Sequence, residues 1–193
     1  MSLKKFFFTY RSYTPIPLAL FIIYYSNPSW PLCGIGSLFI FLGESLRVYA
    51  VRYAGGATRT VKVGAPSLCT TGPYSRMRNP LYVANMIVYT GIALVAGGEV
   101  FWIPVLVTWA FFLIQYALIV SLEEETLTGL FGTSYLEYKK NVPSLFPRIT
   151  PWVNEDNYSP KSLSKTIKTE KRTLQNLTFV LLIIFLKYWF IGG

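Results

Sequence analysis

The sequence predicts an all-α protein built as a polytopic bundle of about five transmembrane helices. Hydrophobic residues make up 52% of the 193 residues, and the mean hydropathy is +0.40. Charged residues account for only 14%, whereas soluble domains carry about 25%. Apolar stretches recur along the chain, and segments rich in Lys and Arg separate them. This alternation is typical of helices that cross a bilayer, because about 20 apolar residues span its hydrocarbon core.

Five apolar stretches are the candidate spans, at residues 16–26, 32–46, 81–96, 100–120 and 174–191. The first is short and needs the aromatic residues on both sides of it to reach across. Pro80 precedes the third, and proline suits the first position of a helix because its missing N–H would be unpaired there. The sequence AGGE at residues 96–99 leaves room only for a tight hairpin between the third and fourth spans.

The basic residues orient this bundle. Of the 18 Lys and Arg residues, all except Lys187 lie in the N-terminal segment or in the two long loops, whereas the short loops SNPSW and GGE contain none. The positive-inside rule therefore predicts that the N-terminus and both long loops are cytoplasmic and that the C-terminus lies on the opposite side. Lys187 can extend its amine to the outer interface.

This orientation can be tested by labelling. A cysteine placed at position 99 should react with an impermeant maleimide only from outside, and labelling from the cytoplasmic side would contradict this orientation.

The composition excludes several functional classes. The chain has no histidine, which rules out a histidine triad, a histidine metal site and a histidine general base. We predict no metal site. The two cysteines, Cys33 and Cys69, fall toward opposite sides of the predicted bundle and cannot form a disulfide. The net charge of +9 is dispersed between apolar stretches and is not concentrated on one face, so we expect no nucleic-acid partner.

The chain divides into four regions on this basis. We expect N-terminal transmembrane helices and a loop, a core around the helical hairpin, a basic linker and a C-terminal transmembrane helix. Their boundaries are residues 1–58, 59–150, 151–173 and 174–193, respectively.

Polar groups concentrate where the hairpin of the third and fourth spans begins and ends. The segment SLCTTGPYSRMRNP at residues 67–80 leads into it, and SLEEE at residues 121–125 leads out of it. Because the two ends of a hairpin meet, arginines and an amide should lie beside carboxylates, an arrangement that suits a small zwitterionic ligand. Ser121, ahead of three glutamates, predicts a helix start, and Gly132 predicts an interruption of the helical stripe that follows.

These segments resemble isoprenylcysteine carboxyl methyltransferases and the related phospholipid N-methyltransferases. The pattern there is G-x-Y-x-x-x-R-[HN]-P-x-Y at a helix start, then a hydrophobic hairpin, then E-E-x-x-L-x-x-x-F-G-x-x-Y-x-x-Y and Val-Pro. The resemblance covers residues 59–147, and the matching positions are Gly72, Tyr74, Arg78, Asn79, Pro80, Tyr82, Glu123, Glu124, Leu127, Phe131, Gly132, Tyr135, Tyr138, Val142 and Pro143.

The resemblance implies a membrane methyltransferase that binds S-adenosylmethionine in a pocket at the cytoplasmic end of the bundle and takes a lipid substrate from the bilayer. The chemistry agrees, because a sulfonium cation and an amine favour carboxylate and aromatic neighbours. A cofactor carboxylate likewise favours free N–H groups near a helix start. By position, the cofactor contacts would be Leu68, Cys69, Tyr74, Arg78, Asn79, Pro80, Leu81, Tyr82, Glu123 and Glu124.

Two positions depart from that pattern and bear on the substrate. Asn79 stands where many relatives have histidine, so it can hold the cofactor but cannot transfer a proton. Ile119 stands one helical turn before the glutamates, where the prenylcysteine enzymes have an arginine expected to meet the substrate carboxylate. We therefore slightly prefer a phospholipid amine headgroup as the methyl acceptor, with an isoprenylcysteine-type carboxylate as the alternative.

Glu44 and Arg47 are the candidate catalytic residues. A carboxylate near the cytoplasmic end of a span is a functional candidate, and residues three apart on a helix can also form a structural ion pair. Both interpretations stay open. Two other functional classes are alternatives to a methyltransferase: an NADPH-dependent sterol-type reductase with a similar helical arrangement, and a non-catalytic membrane protein.

Overall fold

The computed structural model describes residues 2–55, 63–153 and 159–191. Over these residues the chain is helical, as predicted, and the only β-type pairing is an isolated bridge between Asn27 and Gly97. The elements are α1 (Leu3–Thr9), α2 (Ile16–Tyr24), α3 (Trp30–Ala54), a 3-10 turn (Gly72–Ser75), α4 (Pro80–Ala96), α5 (Trp102–Asn141) and α6 (Leu163–Ile191).

Three helices among the described residues are long and apolar enough to cross a membrane, namely α3, α5 and α6. α4 is apolar but has 17 residues, and it begins at Pro80, as predicted. α2 has nine residues, under half of the roughly 20 that a span needs, and turns at residues 10–15 separate it from α1. A helical membrane protein is therefore confirmed, and the number of five spans stays a prediction.

α5 extends well beyond the thickness of a membrane. Its 40 residues form two helical parts that meet at a kink at Gly132. The first part, residues 102–131, is about 45 Å long, more than the roughly 30 Å of a hydrocarbon core, and its apolar stretch ends at Val120. The predicted helix start at Ser121 is wrong, because the surrounding residues contain no proline or glycine that would end the helix. The Ser121 hydroxyl instead donates to the Glu125 carboxylate at 3.2 Å. Gly132 does interrupt the helix, with φ of +53°.

Glycines allow α3 and α4 to approach each other closely. A Cβ atom at Gly36 would lie 2.6 Å from the Gly91 carbonyl oxygen, and one at Gly91 would lie 2.6 Å from the Gly36 carbonyl oxygen. A Cβ atom at Gly43 would meet the Val88 side chain at 2.7 Å. Small residues are the usual means by which helices associate in lipid, where the hydrophobic effect between them is weak. The part of α3 that follows Gly43 is thereby held against α4.

Polar contacts fasten α6 to the bundle near both of its ends. It starts within the predicted basic linker, so the last part of that linker is continuous with the C-terminal helix. Near the start, Glu170 forms an ion pair with Arg47 at 2.7 Å. Near the end, the Lys187 amine donates to the carbonyl oxygens of Tyr24 and Ser26, each at 2.8 Å. Lys187 thus satisfies carbonyl groups left free where α2 ends.

The glycine contact between α3 and α4 can be tested with two substitutions on the same helix. Gly36→Ala places a methyl group against backbone atoms at 2.6–2.7 Å, and such overpacking typically costs about 1–3 kcal/mol. Gly34→Ala is the matched control, because a Cβ atom there meets nothing within 4 Å. We expect thermal unfolding in detergent to show a lower melting temperature for Gly36→Ala and an unchanged or slightly higher one for Gly34→Ala. Equal shifts would contradict the close approach.

Candidate active site

Arg78 joins the start of α4 to two parts of α5. Its Nη2 and Nε atoms donate to Glu124 Oε1 at 2.6 and 3.1 Å. Its Nη1 atom donates to the carbonyl oxygen of Lys139 at 3.1 Å and also to that of Val142. The Lys139 amine lies 2.6 Å from the other oxygen of Glu124. The predicted meeting of the two polar segments at the ends of the hairpin is confirmed.

Backbone hydrogen bonds align the residues before α4 with the segment that follows α5. The Arg78 N–H donates to the Pro143 carbonyl oxygen at 2.9 Å, and the Asn79 N–H donates to the Ser144 carbonyl oxygen at 3.1 Å. The Asn79 side-chain amide donates to Ser144 Oγ at 2.9 Å. Arg78, Asn79 and Glu124 therefore hold the site together through contacts within the protein. Their contact with a cofactor stays a prediction.

Tyr82 and Glu123 form the inward-facing part of the site. The Tyr82 hydroxyl donates to Glu123 Oε1 at 2.8 Å, and its ring lies 4.4 Å from that of Tyr116. The Asn85 amide donates to the Tyr116 hydroxyl at 3.2 Å. Sequence reasoning missed Asn85 and Tyr116. Helical spacing could have found them, because Asn85 lies three residues after Tyr82, and Tyr116 lies seven residues before Glu123.

The adjacent carboxylates Glu123 and Glu124 differ in their ionisation. Both lie past Val120, the end of the apolar part of α5. Burial raises the pKa of Glu123 to about 7, and the Tyr82 hydrogen bond offsets only part of that rise. Burial also acts to raise the pKa of Glu124, but the hydrogen bonds and charges of Lys139 and Arg78 outweigh it, so this pKa lies below its ordinary value. Glu124 is therefore a fixed anion, whereas Glu123 can gain or lose a proton near neutral pH.

The loop before α4 forms the second side of the candidate site. Gly72 has φ of +61°, and a Cβ atom there would lie 2.6 Å from the Tyr53 ring, so a larger residue does not fit. The Tyr74 carbonyl oxygen accepts a hydrogen bond from the Tyr138 hydroxyl at 2.7 Å. Leu68 packs against the small apolar cluster that contains Tyr138. The loop is thus held against the far end of α5.

The remaining predicted cofactor residues lie along the same loop and the first turn of α4. Cys69 is half-buried, Pro80 is fully buried and Leu81 is half-buried. The Thr71 hydroxyl is buried and has no hydrogen-bond partner in the described part of the chain. An orphaned hydroxyl of this kind indicates that the loop can accept a polar ligand group.

These features fit S-adenosylmethionine. Glu123 offers a carboxylate to a cationic group, and the half-buried Tyr82 ring offers an aromatic neighbour to a sulfonium. Thr71 and the backbone near Gly72 offer polar contacts to the rest of the molecule. A separate surface depression of about 430 Å³ lies along α5 and includes Glu124 but not Tyr82; its lining residues are Ser121, Glu124, Glu125, Thr128 and Lys139.

Glu44 and Arg47 form the predicted ion pair, and a third residue completes it. Arg47 Nη2 and Nε lie 2.6 and 3.2 Å from Glu44 Oε2. Arg47 Nη1 lies 2.7 Å from Glu170 Oε2, and Glu170 is only 2% exposed. Sequence reasoning missed Glu170, because it lies in a basic segment far along the chain and carries no local signal. The catalytic assignment of Glu44 and Arg47 stays a prediction.

Fold and site together define an all-helical membrane protein whose polar site lies at one end of a helical hairpin. The family model described as phospholipid methyltransferase matches residues 32–134, more than half of the chain. The chain therefore belongs to the phospholipid methyltransferase family. The match includes α3, the loop before α4, the hairpin and both glutamates of the site.

Curated relatives support this assignment. The chain is 33% identical to a protein-S-isoprenylcysteine O-methyltransferase B of Arabidopsis thaliana over 61% of the chain and 60% of the relative. It is 34% identical to the protein-S-isoprenylcysteine O-methyltransferase of Schizosaccharomyces pombe over 58% of the chain and 48% of the relative. It is 29% identical to a nickel-cobalt-cadmium resistance protein of Alcaligenes xylosoxydans xylosoxydans over 66% of the chain and 55% of the relative. The chain thus spans about half the length of these relatives. No solved structure matches it significantly.

The Arg78 contacts can be tested by a conservative substitution. Arg78→Lys keeps the charge but cannot bond the Glu124 carboxylate and two carbonyl oxygens at once. Because hydrogen bonds to charged groups contribute about 1.5–3 kcal/mol, we expect a clearly lower melting temperature in detergent. Arg52→Lys is the control, since Arg52 Nε reaches a single carbonyl oxygen at an exposed position. A variant Arg78→Lys that melts like the control would contradict the joining role of Arg78.

Proposed function

We propose that this protein transfers a methyl group from S-adenosylmethionine to a lipid-linked acceptor at the membrane. The observation that carries the proposal is the Tyr82–Glu123 pair at the start of α4, with a hydrogen bond of 2.8 Å. It places an ionisable carboxylate and an aromatic ring just after the loop that contains the orphaned Thr71 hydroxyl. Membership in a family of methyltransferases supports the same reaction.

A carboxylate of the isoprenylcysteine type is the best-supported acceptor. Relatives from a plant and a yeast are named as protein-S-isoprenylcysteine O-methyltransferases, and these matches favour the carboxylate over the phospholipid amine that the sequence alone slightly favoured. A carboxylate nucleophile also needs no general base, which agrees with a chain that has no histidine.

A phospholipid amine headgroup is the second candidate, because of one observation. Ile119 is fully buried in the apolar core between the helices, so this position itself carries no cation where an arginine is expected one turn before the glutamates. An amine acceptor would have to lose a proton before methyl transfer. Glu44 and Glu123 are the carboxylates available for that role.

Methyl transfer from the sulfonium of S-adenosylmethionine is an in-line displacement, so the protein's main task is to align the reactants and exclude water. Tyr82 fixes the Glu123 carboxylate, and Glu123 in turn would hold a cationic group. Arg78 holds the loop before α4 in a fixed position against α5, so the two sides of the site stay at a constant distance. The apolar helices would present the lipid part of the acceptor from the bilayer side.

The role of Glu123 can be measured as cofactor affinity. Glu123→Gln removes a negative charge from a site for a cationic cofactor, and a charge-assisted hydrogen bond contributes about 1.5–3 kcal/mol. At pH 8 we expect S-adenosylmethionine to bind roughly ten- to a hundredfold more weakly by calorimetry. Glu125→Gln, at an exposed neighbour bonded to Lys4, is the control and should bind normally. A folded Glu123→Gln variant with unchanged affinity would show that the cofactor lies elsewhere.

The pH dependence gives an independent readout of the same carboxylate. Because burial raises the pKa of Glu123 to about 7, the group is mainly neutral below that pH and mainly ionised above it. Affinity for the cationic cofactor should therefore rise between about pH 6 and about pH 8, and Glu123→Gln should remove the part of this rise that is due to Glu123. A wild-type affinity profile that falls over this pH range would contradict the assignment.

The reductase alternative can be tested in the same calorimeter, because an NADPH-dependent reductase would bind NADPH.

The acceptor can be identified by direct competition. Phosphatidylethanolamine and N-acetyl-S-farnesylcysteine are offered at equal concentration in detergent micelles with methyl-labelled S-adenosylmethionine. We expect label in the farnesylated compound as a base-labile methyl ester. Label in the phospholipid as a base-stable N-methyl group would establish the amine candidate instead. No label in either compound, with a folded protein that binds no cofactor, would overturn the proposed function.

A further inference from the structure

The ion pair between Glu44 and Arg47 is part of a larger buried cluster that α6 completes. The Arg47 side chain is 6% exposed and that of Glu44 is 14% exposed. Glu170, contributed by α6, is 2% exposed and lies 2.7 Å from Arg47. Glu170 falls outside residues 32–134, where the family model matches. The cluster therefore combines a residue pair within the family region with a side chain from the C-terminal helix.

A buried cluster of charged groups contributes little net stability to a fold. Burying charged groups costs several kcal/mol each, and replacing a buried ion pair by apolar residues of similar size is often neutral or stabilising. α6 has one buried hydrophobic residue, Ile184, among its described positions. An apolar contact would serve equally well to dock the helix at Glu170. The use of charged groups there points to a task that depends on the orientation of the Arg47 guanidinium.

The cluster lies next to the candidate active site. Arg47 follows Gly43 on the part of α3 that packs closely against α4. At Gly43, one helical turn before Arg47, a Cβ atom would lie 2.9 Å from the Ala84 carbonyl oxygen, and the next residue, Asn85, donates a hydrogen bond to the Tyr116 hydroxyl. The Tyr116 ring in turn lies 4.4 Å from that of Tyr82, which bonds Glu123. A short series of packing contacts and hydrogen bonds thus leads from the helical turn before Arg47 to the cofactor side of the site.

The guanidinium keeps donors for a further partner. Its contacts with the two carboxylates use Nε, one N–H of Nη1 and one N–H of Nη2. Arginine has five N–H groups, so two remain beyond these contacts among the described residues. Because Glu44 and Glu170 approach from different helices, they fix the plane of the guanidinium and with it the direction in which the remaining donors point.

We propose that Glu170 is a positioning residue for the methyl acceptor: it holds Arg47 against Glu44 so that the guanidinium binds an oxygen of the acceptor's polar head. This inference rests on the proposed function, and it adds α6 to the acceptor side of the active site. The cofactor side, which centres on Glu123, does not depend on it. Loss of Glu170 should accordingly affect the acceptor and leave the cofactor untouched.

The first test compares substitutions of glutamates. Glu170→Gln should raise KM for N-acetyl-S-farnesylcysteine, or for phosphatidylethanolamine if that lipid is the labelled acceptor, by about tenfold or more. The affinity for S-adenosylmethionine should stay the same. Glu170→Asp, which keeps the charge, should recover part of the lost affinity. Glu137→Gln, at an exposed position on α5, is the control and should behave like the wild type.

The second test separates positioning from a structural role. The triple variant Glu44→Met, Arg47→Met, Glu170→Met replaces the cluster by apolar side chains and should fold and bind S-adenosylmethionine. If the cluster positions the acceptor, this variant should still show the raised KM. A folded triple variant with wild-type KM, or Glu170→Gln with unchanged KM, would overturn the inference alone. A wild-type protein that methylates neither acceptor would overturn the proposed function together with it.

Discussion

The contacts of Arg78 are the constraint on which the rest of the site depends. A single guanidinium bonds the Glu124 carboxylate and the carbonyl oxygens of Lys139 and Val142. It thereby links the segment before α4 to two positions of α5 that are more than a dozen residues apart and to the residue that follows α5. The charge on Glu124 and the path of the chain after Gly132 both follow from this link. Without it, the loop before α4 would lose its link to Glu124 and would keep contacts near the far end of α5, such as the hydrogen bond between Tyr138 and Tyr74.

The two carboxylates show how one helix can serve two purposes. Glu124 is paired with two cations and is a permanent anion of the framework. Glu123, the preceding residue, points to Tyr82 and meets no cation at ion-pair distance among the described residues, so burial dominates and raises its pKa to about 7. Adjacent residues on a helix point in directions about 100° apart, which separates a structural role from a ligand-binding role within one dipeptide.

The helices reach these positions by two different kinds of contact. α3 and α4 meet through glycine backbones, which requires only small side chains at Gly36, Gly43 and Gly91. α6 is attached through polar groups, by Glu170 near one end and Lys187 near the other. The first kind makes a closely packed pair in which α3 carries Arg47 and α4 carries Tyr82. The polar contacts bring α6, which is distant in the sequence, next to Arg47 on α3.

The sequence alone determined the helical membrane class, the start of α4 at Pro80, the interruption at Gly132 and the meeting of the polar segments. Each depends on local composition or on the geometry of a short hairpin, so nearby residues suffice to predict it. The sequence also showed a match to a methyltransferase pattern, which the family comparison confirms. It misplaced a helix start at Ser121, because a serine before glutamates is a cap only where the preceding helix has ended.

Only the tertiary structure decided that Asn79 bonds Ser144, that Tyr116 and Asn85 join the site and that Glu170 reaches Arg47. Those contacts join residues that are far apart in the chain, and packing between helices, which no local pattern records, sets their distances.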